Sequence, residues 1–173
     1  MNTIEAINNR RSCKDFIPNK RVPDEIIQKI AEAGTKAASG MNKQAAKIII
    51  INNPELRDLI AKKNAEILST TADTFYGAPQ IICVVADKSI HTAVYDGSLV
   101  LGNMMQAAEE LGIGSCWIHR AKEFFEMDEG KKILKAAGLD GDYIGIGNLA
   151  IGYPASDKRP APEIRDNYIT WLN

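Results

Sequence analysis

The 173-residue chain has little of three features that would assign it to a specialised class of protein. Its three cysteines include no Cys-x-x-Cys pair and no even set, which argues against a disulfide framework or a zinc site and favours a reducing compartment. No apolar run approaches the ~20 residues that a membrane-spanning helix needs. The net charge is only −1, so the chain lacks the positive field that nucleic-acid binding requires.

The N-terminal sequence Met1-Asn2-Thr3-Ile4-Glu5 also lacks the basic and apolar regions of a secretory signal. The composition, 45% hydrophobic and 25% charged, is that of an ordinary soluble protein. A chain of this length forms one domain, or one domain with an arm, and can bury roughly 70% of its unfolded surface. We therefore expect a cytoplasmic globular domain whose core needs neither a disulfide nor a metal.

Apolar residues recur at helical spacing in five segments of the chain. Thr3 is expected to cap the first helix, and Asp96 the longest one, which stops at Gly112. Four apolar runs of strand length lie between the helices, rich in β-branched residues and apolar on successive positions, as in strands covered on both faces. The alternation predicts a layered fold with a central sheet between helices. The remaining helices begin near Pro23, Pro54 and Asp128, and the strands lie at 48–51, 81–85, 116–118 and 144–151.

The last 20 residues do not fit this plan. They contain proline and charge and then finish in the strand-like run Tyr168-Ile169-Thr170-Trp171. One alternative is a frayed terminus, but disordered ends seldom finish in such residues. Twenty extended residues reach roughly 65 Å, far enough to cross onto another subunit. We therefore expect a domain over residues 1–153 and an arm over residues 154–173 that pairs with a second copy.

The densest positive cluster of the chain is Arg10-Arg11-Ser12-Cys13-Lys14. Guanidinium groups bind phosphate oxygens through paired N–H groups, a lysine adds a point charge, and Ser12 adds a neutral donor. Taken alone, such a cluster is more often a solvated run of charge. In a chain that is otherwise near neutral, it is a candidate phosphate-binding segment.

A second candidate is the small polar loop Ala38-Ser39-Gly40-Met41-Asn42-Lys43-Gln44. Gly40 allows backbone to approach a ligand closely, while Ser39, Asn42 and Gln44 offer hydroxyl and amide hydrogen bonds. These groups suit a flat heteroaromatic ring with donors and acceptors on its rim. A plain connecting loop is the alternative.

These two segments together resemble the FMN-dependent nitroreductase family. The pattern is Arg-Arg-Ser-x-Lys near the N-terminus and Ser-Gly-x-Asn-x-Gln some thirty residues later. The resemblance spans residues 3 to about 159, and it is the order of its motifs that makes it specific. Four further stretches agree with it: Gly77-Ala78-Pro79, Asp96 on the long helix, Leu111 to Trp117, and Gly147 to Pro154.

The resemblance implies an α+β sandwich, an intertwined homodimer and FMN bound at the subunit interface. NADH or NADPH would give hydride to the flavin N5, and an electron-poor acceptor such as a nitroaromatic or a quinone would take it in a second step. The flavin carries this chemistry, so no protein side chain need act as acid or base. A non-catalytic FMN store or sensor, and a structural dimer whose cations only aid solubility, remain the alternatives.

The resemblance also implies the cofactor contacts. The flavin phosphate and ribityl chain fall to Arg10, Ser12 and Lys14, with backbone or charge from Arg11. Ser39 and Asn42, within the loop that also includes Gly40 and Gln44, would reach the FMN of the partner subunit. The second phosphate contact would be Lys158 or Arg159, with Arg165 less expected. Trp117, His119 and Arg120, at the end of the third predicted strand and just after it, are also expected to contact the flavin.

The sequence departs from the family pattern after Trp117. The residues His119-Arg120 stand where the family often has an acidic or small residue and glycine, whose backbone N–H groups face the flavin N5 edge. The more positive local charge would raise the flavin potential, because a cation near the ring favours the anionic reduced flavin, unless both side chains point to solvent. The short connection from Ile67 to Pro79 implies a small lid and an open site.

Other residue patterns in the sequence give weaker indications of function. Gly145-x-Gly147-x-x-Ala150 matches a loose dinucleotide fingerprint, but no helix and partner strand follow it. The two histidines lack partners at metal spacing. Cys13, among three cations, is more simply a packing thiol than an activated one.

Overall fold

The centre of the fold is a four-stranded antiparallel sheet with the strand order β1-β2-β4-β3. The computed structural model describes residues 2–172; Met1 and Asn173, which begin the predicted domain and end the predicted arm, lie outside this range. The inner strand β2 is buried at every position from Gln80 to Ala86. All four predicted strands are present: β1 (Ala46–Ile51), β2 (Gln80–Asp87), β3 (Gly114–Ile118) and β4 (Tyr143–Gly152).

Helices connect and cover these strands. The five predicted helices are present, and residues 2–172 contain one more, α5, which the sequence analysis missed. It is only six residues long and ends directly before the next helix, so its pattern merged with that of its neighbour. The helices are α1 (Thr3–Asn9), α2 (Asp24–Gly34), α3 (Pro54–Ile67), α4 (Ala93–Glu110), α5 (Ala121–Glu126) and α6 (Asp128–Ala136).

Two of the predicted helix caps are wrong. The first helix is capped by Asn2 rather than Thr3, because the Asn2 side chain accepts the Glu5 N–H while the Glu5 carboxylate accepts the Asn2 N–H, both at 3.0 Å. This reciprocal pair is a capping box. Asp96 lies inside α4, after a start at Ala93, and its carboxylate binds another segment instead of its own helix end.

The sheet separates two hydrophobic cores. On one face, α3, α5 and α6 pack with the buried rings of Phe16, Phe75 and Phe124. On the other face, α2 and α4 pack against the inner strands, and Met104 of α4 is fully buried there. This confirms the α+β class and the central sheet between helices. It also explains why both inner strands are apolar on successive residues: each of their faces meets helices.

The segment after the last strand leaves this core. Pro154 forms an isolated bridge to Phe16, and the Ala155 N–H donates to the Asp15 carbonyl at 3.0 Å. From residue 155 to 172 the chain has neither helix nor strand, and Trp171 is 84% exposed. The predicted pairing of this arm with a second copy stays a prediction. None of the helices within residues 2–172 is long and apolar enough to cross a membrane.

Candidate active site

The cation cluster runs along the outer edge of the sheet. After α1, Ser12 forms a parallel bridge to Ser115 of β3, and the Cys13 N–H donates to the Ser115 carbonyl at 2.9 Å. Strand β3 ends the sheet on this side, so its free edge receives the segment. This pairing of Ser12 and Cys13 with Ser115 holds the backbone of the segment, so it also fixes where the neighbouring cationic side chains begin.

The structure brings Lys158 and Arg159 to this cluster from the far end of the chain. Both line a cavity of about 120 Å³ together with Arg11, Ser12 and Lys14. Arg159 also lines an adjoining, more open groove of about 530 Å³, which Arg10, Arg11, Ser12 and Lys14 border as well. Arg165 lines neither space. The segment near the N-terminus and the segment after the last strand, each expected to contact the phosphate, therefore meet at one place in the structure.

The cavity holds a small surplus of positive charge. Arginine and lysine donors, together with the hydroxyls of Ser12 and Ser156, are the kind of set that binds a phosphate group, and the surplus favours an anion over a neutral ligand. A phosphate group therefore fits the side chains that are present. Four cationic side chains line the cavity against three carboxylates: Arg11, Lys14, Lys158 and Arg159 against Asp15, Glu109 and Asp157.

Arg11 has a local role within this set. Its Nη1 donates to the carbonyls of Asn8 and Arg10, at 2.7 and 2.8 Å, so the guanidinium closes the end of α1. Its Nε is buried and has no partner among the described residues. Arg11 therefore holds the helix end with one edge of its guanidinium and keeps one donor unused beside the cavity.

Glu109 is a site residue that the sequence analysis missed. It lies near the end of α4, is 7% exposed, and accepts a hydrogen bond from Lys158 Nζ within an ion pair. Lys158 Nζ also approaches the Asn9 carbonyl at 3.5 Å. A glutamate near the end of an amphipathic helix carries no local signal of burial, so sequence alone could not have found it.

The polar loop lies apart from the cations within one chain. Ser39 and Gln44 line a different cavity, of about 320 Å³, with residues of α2, β1 and α4. A 3-10 turn covers Gly40–Asn42, and both Met41 and Asn42 are exposed. Among the cavities of residues 2–172 described above, none is lined by both the loop and the cation cluster.

The segment after β3 is held by a buried amide. Asn64 of α3 is 0% exposed; its Nδ2 donates to the His119 carbonyl at 2.8 Å, and its Oδ1 accepts from Arg120 Nε at 3.1 Å. Arg120 has a φ of 71°, in the left-handed region, directly before α5. The His119 side chain is exposed, but that of Arg120 is half-buried and tied to α3. The alternative in which both point to solvent is therefore wrong for Arg120.

Trp117 packs against the core on the α2 and α4 side of the sheet. A Cβ on Gly147 would lie 2.5 Å from its Nε1, so the ring occupies space that a side chain at position 147 would need. Packing in the core is enough to explain the position of the Trp117 indole. The expected contact between Trp117 and the cofactor stays a prediction.

The cysteines are not activated. Burial raises the pKa of the Cys13 thiol, against a lowering by the Asp15 carbonyl. Burial also raises the pKa of the Cys83 thiol, to about 12. It raises the pKa of the Cys116 thiol as well. A raised pKa is the opposite of what a nucleophilic thiol requires. The described part of the chain holds no group of three His, Cys, Asp or Glu side chains that could bind a metal ion.

The sequence and the fold of this chain are similar to those of known proteins. The model of the Nitroreductase family matches residues 7–73 and 69–153. YfkO of Bacillus subtilis, provisionally named an NAD(P)H nitroreductase, is 29% identical to this chain, and the alignment covers 91% of this chain and 90% of YfkO.

Solved structures share the whole fold. A nitroreductase with bound FMN from Desulfitobacterium hafniense is 28% identical, with a TM-score of 0.87 over 100% of both chains. A nitroreductase with bound FMN from Bacteroides fragilis reaches a TM-score of 0.89 over 100% of both chains at 24% identity, a likeness of fold. The expected sandwich architecture is confirmed.

Proposed function

Because the chain belongs to the nitroreductase family, we propose that it is an FMN-dependent oxidoreductase that takes electrons from NADH or NADPH. The match over residues 7–153 confirms the resemblance that the sequence motifs indicated. Supporting this proposal are relatives named for NAD(P)H nitroreduction and structural neighbours that contain FMN.

One observation carries the proposal most directly. Lys14 and Arg159 come from opposite ends of the chain and line both the inner cavity and the open groove. FMN ends in a phosphate, and guanidinium and ammonium groups bind phosphate oxygens more strongly than they bind neutral groups. Arg10, Lys14 and Arg159 would hold that phosphate, with the Ser12 hydroxyl as a neutral donor beside them. Lys158 is already paired with Glu109, so it contributes charge more than contact.

When bound, FMN supplies hydride transfer from NAD(P)H and then to an electron-poor acceptor such as a nitroaromatic or a quinone. The residues of this chain bind and orient the cofactor. Asn64 fixes the position of the His119 carbonyl and the Arg120 guanidinium, and we expect the backbone of these two residues at the reactive edge of the ring. Arg120 leaves a positive charge in that loop, which favours a raised flavin potential.

We place the site at the interface of a homodimer. The loop with Ser39, Gly40, Asn42 and Gln44 is separate from the cations of its own chain, and it would reach the flavin held by the partner. Apolar side chains are exposed on the loop and on the helix that binds it: Met41 of the loop is 75% exposed, and Tyr95 and Leu99 of α4 are 73% and 50% exposed. Soluble monomers rarely leave such apolar side chains grouped in water.

The arm over residues 154–173 would complete this dimer. Tyr168 and Ile169 are each 78% exposed on their own chain, although both favour strands and burial. Within residues 2–172 no strand pairs with the outer edge of β1, and an extended segment can pair with such an edge. The arm would therefore dock as an edge strand on the second subunit.

An absorbance spectrum of the gently purified protein tests the proposal. We expect the visible absorption of oxidised flavin, its loss on anaerobic addition of NADH or NADPH, and its return when a nitroaromatic or a quinone is added. A yellow protein that NAD(P)H does not bleach would favour the non-catalytic store or sensor. A colourless protein that takes up no added FMN would overturn the proposal.

A further inference from the structure

The loop from Ser39 to Gln44 holds a backbone conformation that side chains disfavour. Met41, Asn42 and Gln44 have φ angles of 50°, 53° and 49°, in the left-handed region. Inside the loop, Ser39 Oγ accepts the Gln44 N–H at 3.1 Å, and Asn42 Oδ1 accepts from Gln44 Nε2 at 3.0 Å. Such a segment persists only where the surrounding structure holds it in place.

Asp96 supplies the side-chain hydrogen bond that ties this loop to helix α4. Its Oδ1 accepts the Gly40 N–H at 3.0 Å, and its Oδ2 accepts the Thr92 hydroxyl at 3.0 Å. The residue is 4% exposed, so water competes little for either oxygen. A hydrogen bond from a backbone N–H to a carboxylate is stronger than one between neutral groups.

Thr92 fixes the same contact by packing. A Cβ at Gly40 would lie 2.5 Å from Thr92 Oγ1 and 2.7 Å from its Cγ2, so the loop backbone rests directly on this side chain. Gly40 is therefore constrained twice, by the hydrogen bond to Asp96 and by contact with Thr92. Both constraints come from the start of α4, a long helix that packs against α2 and the sheet.

We propose that Asp96 is a positioning residue that holds the Ser39–Gln44 loop in the geometry in which Ser39 and Asn42 contact the flavin ring. The proposal rests on the proposed function, in which this loop reaches a flavin whose phosphate is bound by the cation cluster. Asp96 acts on the ring end of the cofactor alone, because its contacts are with the loop and not with the cations. Glu109, at the other end of the same helix, pairs instead with Lys158, which lines the cavity beside the cation cluster.

Riboflavin, which has the ring and ribityl chain without the phosphate, separates the two ends of the cofactor. We expect Asp96→Ala to raise the Kd of both riboflavin and FMN at least fivefold and by the same factor. Arg10→Ala should raise the Kd of FMN alone. Flavin fluorescence titration gives both constants, and visible circular dichroism at flavin saturation reports the altered setting of the ring in Asp96→Ala.

The matched control is Asn53→Ala. Asn53 Oδ1 accepts the Leu56 N–H at 2.9 Å at the start of α3, so this change removes a bond from a backbone N–H to a side-chain oxygen at the end of β1 that is far from the loop. Both Kd values should stay within twofold of wild type. A loss equal to that of Asp96→Ala would mean that the effect is general destabilisation, and it would overturn the proposal.

A folded Asp96→Ala protein that binds both flavins as wild type does would also overturn it, as would a loss confined to FMN. If Asp96→Ala does not fold, Gly40→Ala replaces it, because the added Cβ pushes the loop away from Thr92. An equal loss for both flavins then supports the proposal, and unchanged binding contradicts it. A wild-type protein that binds neither flavin contradicts the proposed function itself, so the two failures are distinguishable.

Discussion

Lys158, at the start of the C-terminal arm, forms an ion pair with Glu109, a buried carboxylate near the end of α4. The pair ties the arm to the core directly beside the cations that come from the N-terminal segment. A buried carboxylate needs such a partner, because an unpaired charge away from water is costly. The cavity wall, the end of α4 and the root of the arm therefore depend on one contact.

This contact predicts a stability effect. Lys158→Met should lower the free energy of unfolding by about 1–2 kcal/mol, less than for a fully buried pair because the lysine is half exposed. Adding Glu109→Gln to that variant should recover most of the loss, since no buried charge then lacks a partner. Urea unfolding measures each value. As a control, Lys88→Met removes the exposed pair with Asp142 and should cost much less than Lys158→Met, because water screens that pair.

Cofactor affinity should depend on Arg10. Arg10→Ala removes charge-assisted hydrogen bonds worth on the order of 1.5–3 kcal/mol each, so FMN affinity should fall at least tenfold. Lys29→Ala, an equal loss of charge on the exposed face of α2, should leave the Kd unchanged. Equilibrium titration with FMN decides the matter: a Kd for Arg10→Ala equal to that of wild type refutes the phosphate assignment.

A site shared between subunits predicts complementation. At an FMN concentration just sufficient for wild type, Arg10→Ala and Gly40→Leu should each have little activity alone, the first because it binds the phosphate weakly and the second because its side chain collides with Thr92. Unfolding and refolding them together should produce heterodimers with one competent site. Activity per heterodimer should then approach half that of the wild-type dimer. A refolded mixture that stays inactive, with folding confirmed by circular dichroism, rules out the shared site.

Removal of the arm should weaken the dimer. Deleting from Asp166 onward takes away the exposed Tyr168, Ile169 and Trp171, which cannot then cover the partner. We expect dissociation at nanomolar concentration in sedimentation experiments, with faster loss of flavin on dilution. Truncation of Asn173 alone is the control. A deletion variant that remains fully dimeric at that concentration would show that the arm does not join the subunits.

Backbone strain at Arg120 predicts an order of stabilities. Both Arg120→Ala and Arg120→Gly lose the bond to Asn64, but only alanine keeps a Cβ at a φ of 71°. Arg120→Ala should therefore be the less stable of the two by about 1 kcal/mol. At Lys122, inside α5, the order should reverse, because glycine is the poorer helix former by about 1 kcal/mol. Thermal unfolding compares the four variants, and an unreversed order contradicts the assigned strain.

The sequence by itself determined the elements and the chemical types of the candidate site. Helical spacing and β-branched runs place all four strands and five of the six helices found within residues 2–172, because these patterns depend on neighbours a few residues apart. The cluster Arg10 to Lys14 and the loop around Gly40 are also local, and each indicates by composition what kind of group it can bind. The short helix α5 was not predicted, because six residues are too few to show a clear helical periodicity.

Only the tertiary structure decided which of these residues meet. The strand order puts β3 at the edge, where Ser12 pairs with Ser115, and it ends β4 beside Phe16, so that Arg159 returns to the N-terminal cations. Asp96 has the residue type and position of a helix cap, yet it binds Gly40, more than fifty residues earlier in the chain. Long-range contacts of this kind follow from how the sheet and helices pack, and no pattern of neighbouring residues encodes them.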